Sequence, residues 1–212
     1  MSSLRIGIVG AGGMGATHAR AWSQVEGAAV TVVADTDLPK AEALAARHGA
    51  TACASLNDLL AAHRPDLLSV CVPTDLHASL TIPALDAGCH VLVEKPMALS
   101  TADADAMVAA AERNGRLLSV GQCVRFFPEY ARAKALVDSG AVGNPAAVRC
   151  RRGGGFPRWS AWFADPARSG GVLYDLGVHE IDWLLWCFGP VVRVLARALT
   201  ASLDPADPRD YG

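Results

Sequence analysis

Short runs of Val, Ile, Leu and Ala, apolar at every position rather than at every second one, alternate through the first 121 residues with longer Ala/Leu-rich stretches of helical period. The runs predict strands over 4–9, 29–34, 67–72, 90–94 and 117–121, and the stretches predict helices over 14–24, 38–48, 56–63, 76–87 and 101–114. A strand that is apolar on both sides is one covered on both sides, and helical connections between such strands make them parallel. The fold class that follows is α/β, a Rossmann-type doubly wound sheet with right-handed crossovers. Two helix starts are marked in the residues: Ser55 with Asp58, and Ser100 or Thr101 with Asp103 and Asp105.

After Gly121 the rhythm changes. The pattern predicts a helix over 128–139, a turn over 140–145, a strand over 146–152, a Gly/Pro/Arg/Trp-rich loop over 153–171, a helix over 173–188 and a strand over 191–203. Two strands alone form a marginal sheet, so the expected organisation is an α/β domain at 1–121 and an incomplete α+β domain at 122–212. On the 173–188 helix, Asp175, His179, Asp182 and Trp186 follow one another at i+4, i+3 and i+4, a narrow arc at about 100° per residue. Tyr174, Val178, Ile181, Leu185 and Phe188 make a separate apolar stripe suited to packing on a sheet. Left uncovered, that stripe predicts a homo-oligomer through residues 122–212.

The chemistry begins at Gly10-Ala11-Gly12-Gly13-Met14-Gly15, a G-x-G-x-x-G pattern directly after a strand and at the opening of a helix. Gly10 permits the tight turn, Gly12 lets the backbone approach a pyrophosphate, and Gly15 lets helix and strand pack closely. Glycine turns between strands and helices are common, so the pattern needs context, and Asp35 supplies it at the end of the next strand, where a carboxylate can accept hydrogen bonds from a ribose. The helix start at Gly12 to Gly15, with Gly13 and Met14 in it, favours a diphosphate. Asp35, Thr36 and Asp37 precede any Lys or Arg, the first being Lys40, so a ribose 2'-phosphate would meet negative charge; this favours NAD over NADP.

Pro73, Thr74 and His77 follow the third predicted strand, and Glu94 and Lys95 end the fourth, at the edge where open α/β sheets bind ligands. Lys95 by itself reads rather as an exposed loop lysine. His179 by itself reads equally as a core histidine capped by Asp175 or Asp182.

Composition narrows the classes. With 51% apolar and 19% charged residues the chain folds rather than remaining disordered. A net charge of -2 offers no electrostatic footprint for nucleic acid or an anionic membrane, leaving a small neutral or anionic ligand as the expected partner. The longest stretch without a charged residue, Ile6 to Ala19, is 14 residues with five glycines, too short for a membrane span and too glycine-rich for a signal peptide. The six cysteines form no C-x-x-C pair and no cluster of zinc-ligand spacing, so buried free thiols, no metal and a cytoplasmic location are expected.

In combination, Gly10-x-Gly12-x-x-Gly15, Pro73-Thr74-Asp75-Leu76-His77, the run from Ala84 to Glu94-Lys95-Pro96, Val120-Gly121-Gln122-x-x-Arg125-Phe126 and the run from Gly170 through Asp175 and His179 to Asp182 resemble one family. It is the glucose-fructose oxidoreductase/inositol dehydrogenase (Gfo/Idh/MocA) family. The resemblance implies an NAD(P)-dependent oxidoreductase that moves a hydride between nicotinamide and a secondary alcohol or carbonyl of a sugar, polyol or related cyclic compound. It implies Lys95, from E-K-P, and Asp175 and His179, from D-x-x-x-H, as the catalytic set. Cofactor contacts are expected from Gly10, Gly12, Gly13, Met14, Gly15, Asp35, Pro73, Thr74, His77, Glu94 and Lys95. Arg125, Trp159 and Trp162 are candidates for the substrate. Family members continue with a large antiparallel sheet, so the alternative is a non-catalytic dinucleotide-binding or interaction module without a complete substrate domain.

Overall fold

Six parallel strands make one sheet: β1 (Leu4–Val9), β2 (Ala28–Ala34), β3 (Thr51–Cys53), β4 (Leu67–Val70), β5 (His90–Val93) and β6 (Leu118–Val120), in the order β3-β2-β1-β4-β5-β6. The computed structural model describes residues 3–153 and 160–197, and the chain divides into two units, Met1–Gly121 and Gln122–Gly212. In the first unit the strands are joined by helices α1 (Gly13–Trp22), α2 (Leu38–His48), α3 (Leu56–Ala62), α4 (His77–Asp86) and α5 (Thr101–Asn114). The strand order reverses between β1 and β4, which opens a crevice at their carboxyl ends.

Burial explains why these runs became strands. Leu68 and Val70 on β4, and Val91 and Val93 on β5, point to one face and join side chains of α3, α4 and α5. Ile6 and Ile8 on β1 point to the other face and pack with Ala19 of α1 and with Ala41, Leu44 and Ala45 of α2. Each face therefore excludes water, as the uninterrupted apolar runs require. Ser55 Oγ accepts the Asp58 N–H at 3.1 Å and Ser100 Oγ accepts the Asp103 N–H at 3.1 Å, each cap stabilising its helix by about 1 kcal/mol.

Two features of the first unit differ from the sequence expectation. Strand β3 was not expected: its three residues are too few to show a pattern, and it forms because Val32 to Ala34 of β2 offer it a ladder at the sheet edge. The expected helix over 76–87 is split into a 3₁₀ turn, Thr74–Leu76, and α4.

The second unit contains a 3₁₀ turn (Cys123–Phe126), α6 (Pro128–Asp138), a 3₁₀ turn (Ala161–Ala164), α7 (Pro166–Ser169), a π-helical turn (Leu173–Gly177) and α8 (Val178–Phe188). Residues 146–152 are not a strand, contrary to expectation, and neither are residues 191–197; the remainder of the second expected strand, 198–203, lies outside the described residues. A strand exists only through its pairing, and no strand occurs among the described residues of this unit to supply it.

The apolar stripe fares similarly. Tyr174, Ile181, Leu185 and Phe188 are exposed, at 41 to 48%. The buried side of α8 carries His179, Glu180 and Trp183. Trp183 packs edge-on against Tyr130 of α6, with ring centroids 5.9 Å apart, and donates its Nε1–H to the Tyr130 carbonyl. Glu180 accepts from the Tyr130 hydroxyl at 3.0 Å and from Arg152 Nε at 2.6 Å. With no strand among the described residues of this unit to lie on, α8 packs through this aromatic and ionic contact instead. No helix among the described residues is long and apolar enough to cross a membrane.

Candidate active site

The turn after β1 is built by two glycines that nothing else could replace. Gly10 has φ +95°, and a Cβ on it would lie 2.3 Å from the Cys71 carbonyl oxygen at the end of β4. A Cβ on Gly15 would lie 1.9 Å from the Gly10 carbonyl oxygen, so only glycine lets α1 close onto the strand. At Gly12 and Gly13 an added Cβ would meet no protein atom within 4 Å. Met14, in the first turn of α1, is exposed.

Asp35 follows β2 and faces this turn. Its Oδ2 accepts the Ala11 N–H at 2.7 Å and its Oδ1 accepts the Asp37 N–H at 2.8 Å, which orients the carboxylate and leaves each oxygen a further lone pair. The nearest cation along the chain is already engaged: Lys40 Nζ lies 2.7 Å from Asp37 Oδ2. That hydrogen bond holds the Asp37 carboxyl below the usual carboxylate range.

At the ends of β4 and β5, Pro73 precedes the 3₁₀ turn and Thr74 is buried. His77 is 1% exposed, with Nδ1 2.8 Å from the Pro96 carbonyl oxygen and Nε2 3.0 Å from that of Val72. Both ring nitrogens face backbone carbonyls. Spacing along a helix does not reveal this orientation.

Glu94 is also buried. Its Oε1 lies 2.8 Å from His18 Nε2 and its Oε2 accepts the Lys95 N–H at 3.1 Å. Burial pushes the Glu94 carboxyl up, but His18 and the Lys95 N–H together outweigh it and hold the group below its ordinary value. Lys95 itself is half-buried. His18 was missed in the sequence, where its only signal is a position three residues beyond Gly15 on the same helix.

In the second unit, Asp175 lies in the π-helical turn and His179 in the first turn of α8, each 8% exposed. The i+5 bonding of that turn breaks the regular advance on which the predicted arc of Asp175, His179, Asp182 and Trp186 rested. Asp182 instead binds Arg125 through both oxygens, at 2.6 Å from Nε and 2.5 Å from Nη2. The Arg125 guanidinium also lies 5.4 Å from the Trp186 ring centroid. Trp162 stacks on Phe163 at 4.0 Å between centroids, and Trp159 lies outside the described residues.

Residues 4–122 match the family model described as oxidoreductase family, NAD-binding Rossmann fold, and residues 130–212 match that of the GFO/IDH/MocA C-terminal domain. The chain belongs to the Gfo/Idh/MocA oxidoreductases. Among curated members, it is 32% identical over 197 residues to D-glucoside 3-dehydrogenase of Escherichia coli strain K12, covering 91% of this chain and 56% of that one. It is 38% identical over 196 residues to inositol 2-dehydrogenase of Mycolicibacterium gilvum, covering 89% and 53%. Among solved Gfo/Idh/MocA relatives, GenD2 from gentamicin A biosynthesis in complex with NAD has a TM-score of 0.82 at 29% identity, over 96% of this chain and 60% of that one. The WlbA dehydrogenase from Bordetella pertussis, in complex with NADH and UDP-GlcNAcA, has a TM-score of 0.80 at 28% identity, over 93% and 60%. The chain thus spans about half the length of the curated relatives it matches.

Proposed function

We propose that this chain serves an NAD-dependent dehydrogenase that oxidises a ring secondary alcohol of a sugar or cyclitol, or reduces the corresponding ketone. The observation that carries the reading is the Gly10 to Gly15 turn with Asp35 beside it, at the reversal of strand order in an NAD-binding family fold. The chain's own packing explains glycine at 10 and 15 but not at 12 and 13. A diphosphate lying on the N-terminus of α1 explains those two. NAD, when bound, supplies a nicotinamide that accepts a hydride from the alcohol carbon.

The rest falls to side chains. Asp35 accepts hydrogen bonds from the adenosine ribose and repels a 2'-phosphate. An imidazole nitrogen of His179 takes the hydroxyl proton, the Lys95 ammonium hydrogen-bonds the oxygen as negative charge develops, and Asp175 orients the pair. Pro73, Thr74 and Glu94 shape the cofactor side; Trp162 remains a candidate for the substrate's ring, whereas Arg125 acts through Asp182. Residues 1–121 are the dinucleotide-binding domain and residues 122–212 the substrate and oligomerisation region. Free buried thiols at Cys53, Cys71 and Cys89 suit the reducing cytoplasm.

A panel of inositols and D-glucosides, the substrates named for the relatives, tests the reading through substrate-dependent NADH formation. Turnover with at least one ring alcohol is expected. Saturable NADH binding without turnover on any of them would replace the reading by a non-catalytic dinucleotide module. The exposed Ile181, Leu185 and Phe188 further predict self-association, and light scattering that shows a monomer at micromolar concentration would remove that part.

A further inference from the structure

Beyond β5 the chain leaves the sheet and carries Lys95 through a turn that is neither helix nor strand. The last ladder bond into it runs from the Glu94 N–H to the Val70 carbonyl at 3.0 Å. After that point the turn is held by two histidines from different helices. His18, on α1, grips the Glu94 carboxylate, whose other oxygen accepts the Lys95 N–H. His77, on α4, faces the carbonyls of Pro96 at 2.8 Å and Met97 at 3.3 Å with Nδ1, and that of Val72 at 3.0 Å with Nε2. A Cβ on Gly121 would come within 3.2 Å of Glu94 Oε1, so glycine at that position leaves the carboxylate its room.

We propose that His18 and His77 are positioning residues that clamp residues 94–97 and thereby set the place of Lys95. The role of Lys95 itself rests on the proposed function; the clamp rests on the geometry alone. The proton inventory gives the direction of each bond. Glu94 is ionised and can only accept, so His18 donates from Nε2. His18 Nδ1 is buried without a hydrogen-bond partner among the described residues. Burial lowers the pKa of His77 despite its carbonyl neighbours, so the ring is neutral and has one N–H to give. Two carbonyls, Pro96 and Met97, converge on Nδ1 against one on Nε2, so the proton belongs on Nδ1 and the bond that matters to Lys95 is the one to Pro96.

The arrangement also links cofactor and lysine. Helix α1 starts at the glycine turn, and His18 sits in its second turn. A displacement of α1 would be passed through His18 and Glu94 to the backbone N–H of Lys95.

Side-chain replacement separates the bonds. Glutamine at 18 keeps an N–H near the Nε2 position and alanine does not; asparagine at 77 keeps one near Nδ1, and glutamine at 77 one near Nε2. Amide hydrogen exchange by mass spectrometry over residues 94–98 reads the clamp without any turnover. His18→Ala and His77→Gln are expected to speed exchange there by roughly tenfold or more, the scale of one lost buried hydrogen bond. His18→Gln and His77→Asn should remain near the parent, and α5 should be unaffected in all four. In turnover, His18→Ala and His77→Gln should lower kcat by roughly tenfold with KM and NADH affinity nearly unchanged, as expected for a displaced catalytic group. Unaltered exchange in both His18→Ala and His77→Gln would overturn the clamp. Faster exchange with unaltered kcat would uphold the clamp and overturn its purpose. Comparable losses in His77→Asn and His77→Gln would also count against it, because they would mark His77 as needed for packing alone.

Discussion

Lys95→Ala and His179→Ala are each expected to lower turnover by roughly 10²- to 10⁴-fold, the reach of one acid-base group, while leaving NADH affinity nearly unchanged. Each residue occupies a place that suits a reacting group better than a surface one. Lys95 follows β5 at the carboxyl edge of the sheet and is half-buried, with its own N–H fixed by Glu94. His179 and Asp175 are both 8% exposed, on consecutive turns of a helix whose first turn is widened to the π form. Buried ionisable groups side by side on one helix are candidates for a functional role. Steady-state kinetics on whichever ring alcohol is turned over, with NADH titration in parallel, separates the two effects. Near-normal kcat in both variants would refute the assigned roles, and a loss of NADH binding equal to the loss of turnover would reassign them to the cofactor.

The second large effect is on stability. Gly15→Ala places a methyl group 1.9 Å from a carbonyl oxygen of the backbone, and Gly10→Ala places one 2.3 Å from another while keeping a φ of +95° that L-residues avoid. Backbone cannot rotate away as a side chain can. Each substitution is expected to cost about 3 kcal/mol or more, a large share of the stability of an ordinary domain. Gly12→Ala and Gly13→Ala meet nothing and should change stability by no more than about 0.5 kcal/mol. Gly12→Ala should nonetheless weaken NADH binding by roughly tenfold through contact with the diphosphate. Urea unfolding and NADH titration on the four variants check both halves. Equal stability losses across all four would contradict the division into two structural and two ligand-facing glycines.

The first unit was legible because its information is local. Val32, Val33 and Ala34, or Val91 to Val93, are apolar on both sides, and that pattern is what a strand between two helix layers must show. Strand β3 escaped because three residues at an edge carry no such pattern. In the second unit the expected strands depended on partners distant in sequence, which no local pattern specifies. The π-helical turn escaped because a fixed advance per residue was assumed through Asp175.

The site divides in the same way. Gly10 to Gly15 and Asp35 could be read in advance, since a turn and a strand end fix where they lie. His18 could not, because its partner Glu94 is 76 positions away and meets it only in the folded chain. His77 was recognised as belonging to the site, but only the fold reveals that its ring serves backbone carbonyls.

The most direct test is a fluorescence titration of the protein with NADH and with NADPH, repeated on Asp35→Ser combined with Thr36→Arg. The account predicts saturable NADH binding at least roughly tenfold tighter than NADPH, from the charge of Asp35 and Asp37 against a 2'-phosphate, with the preference reversed or abolished in the double variant. NADPH bound as tightly as NADH, or a double variant with unchanged preference, would contradict it.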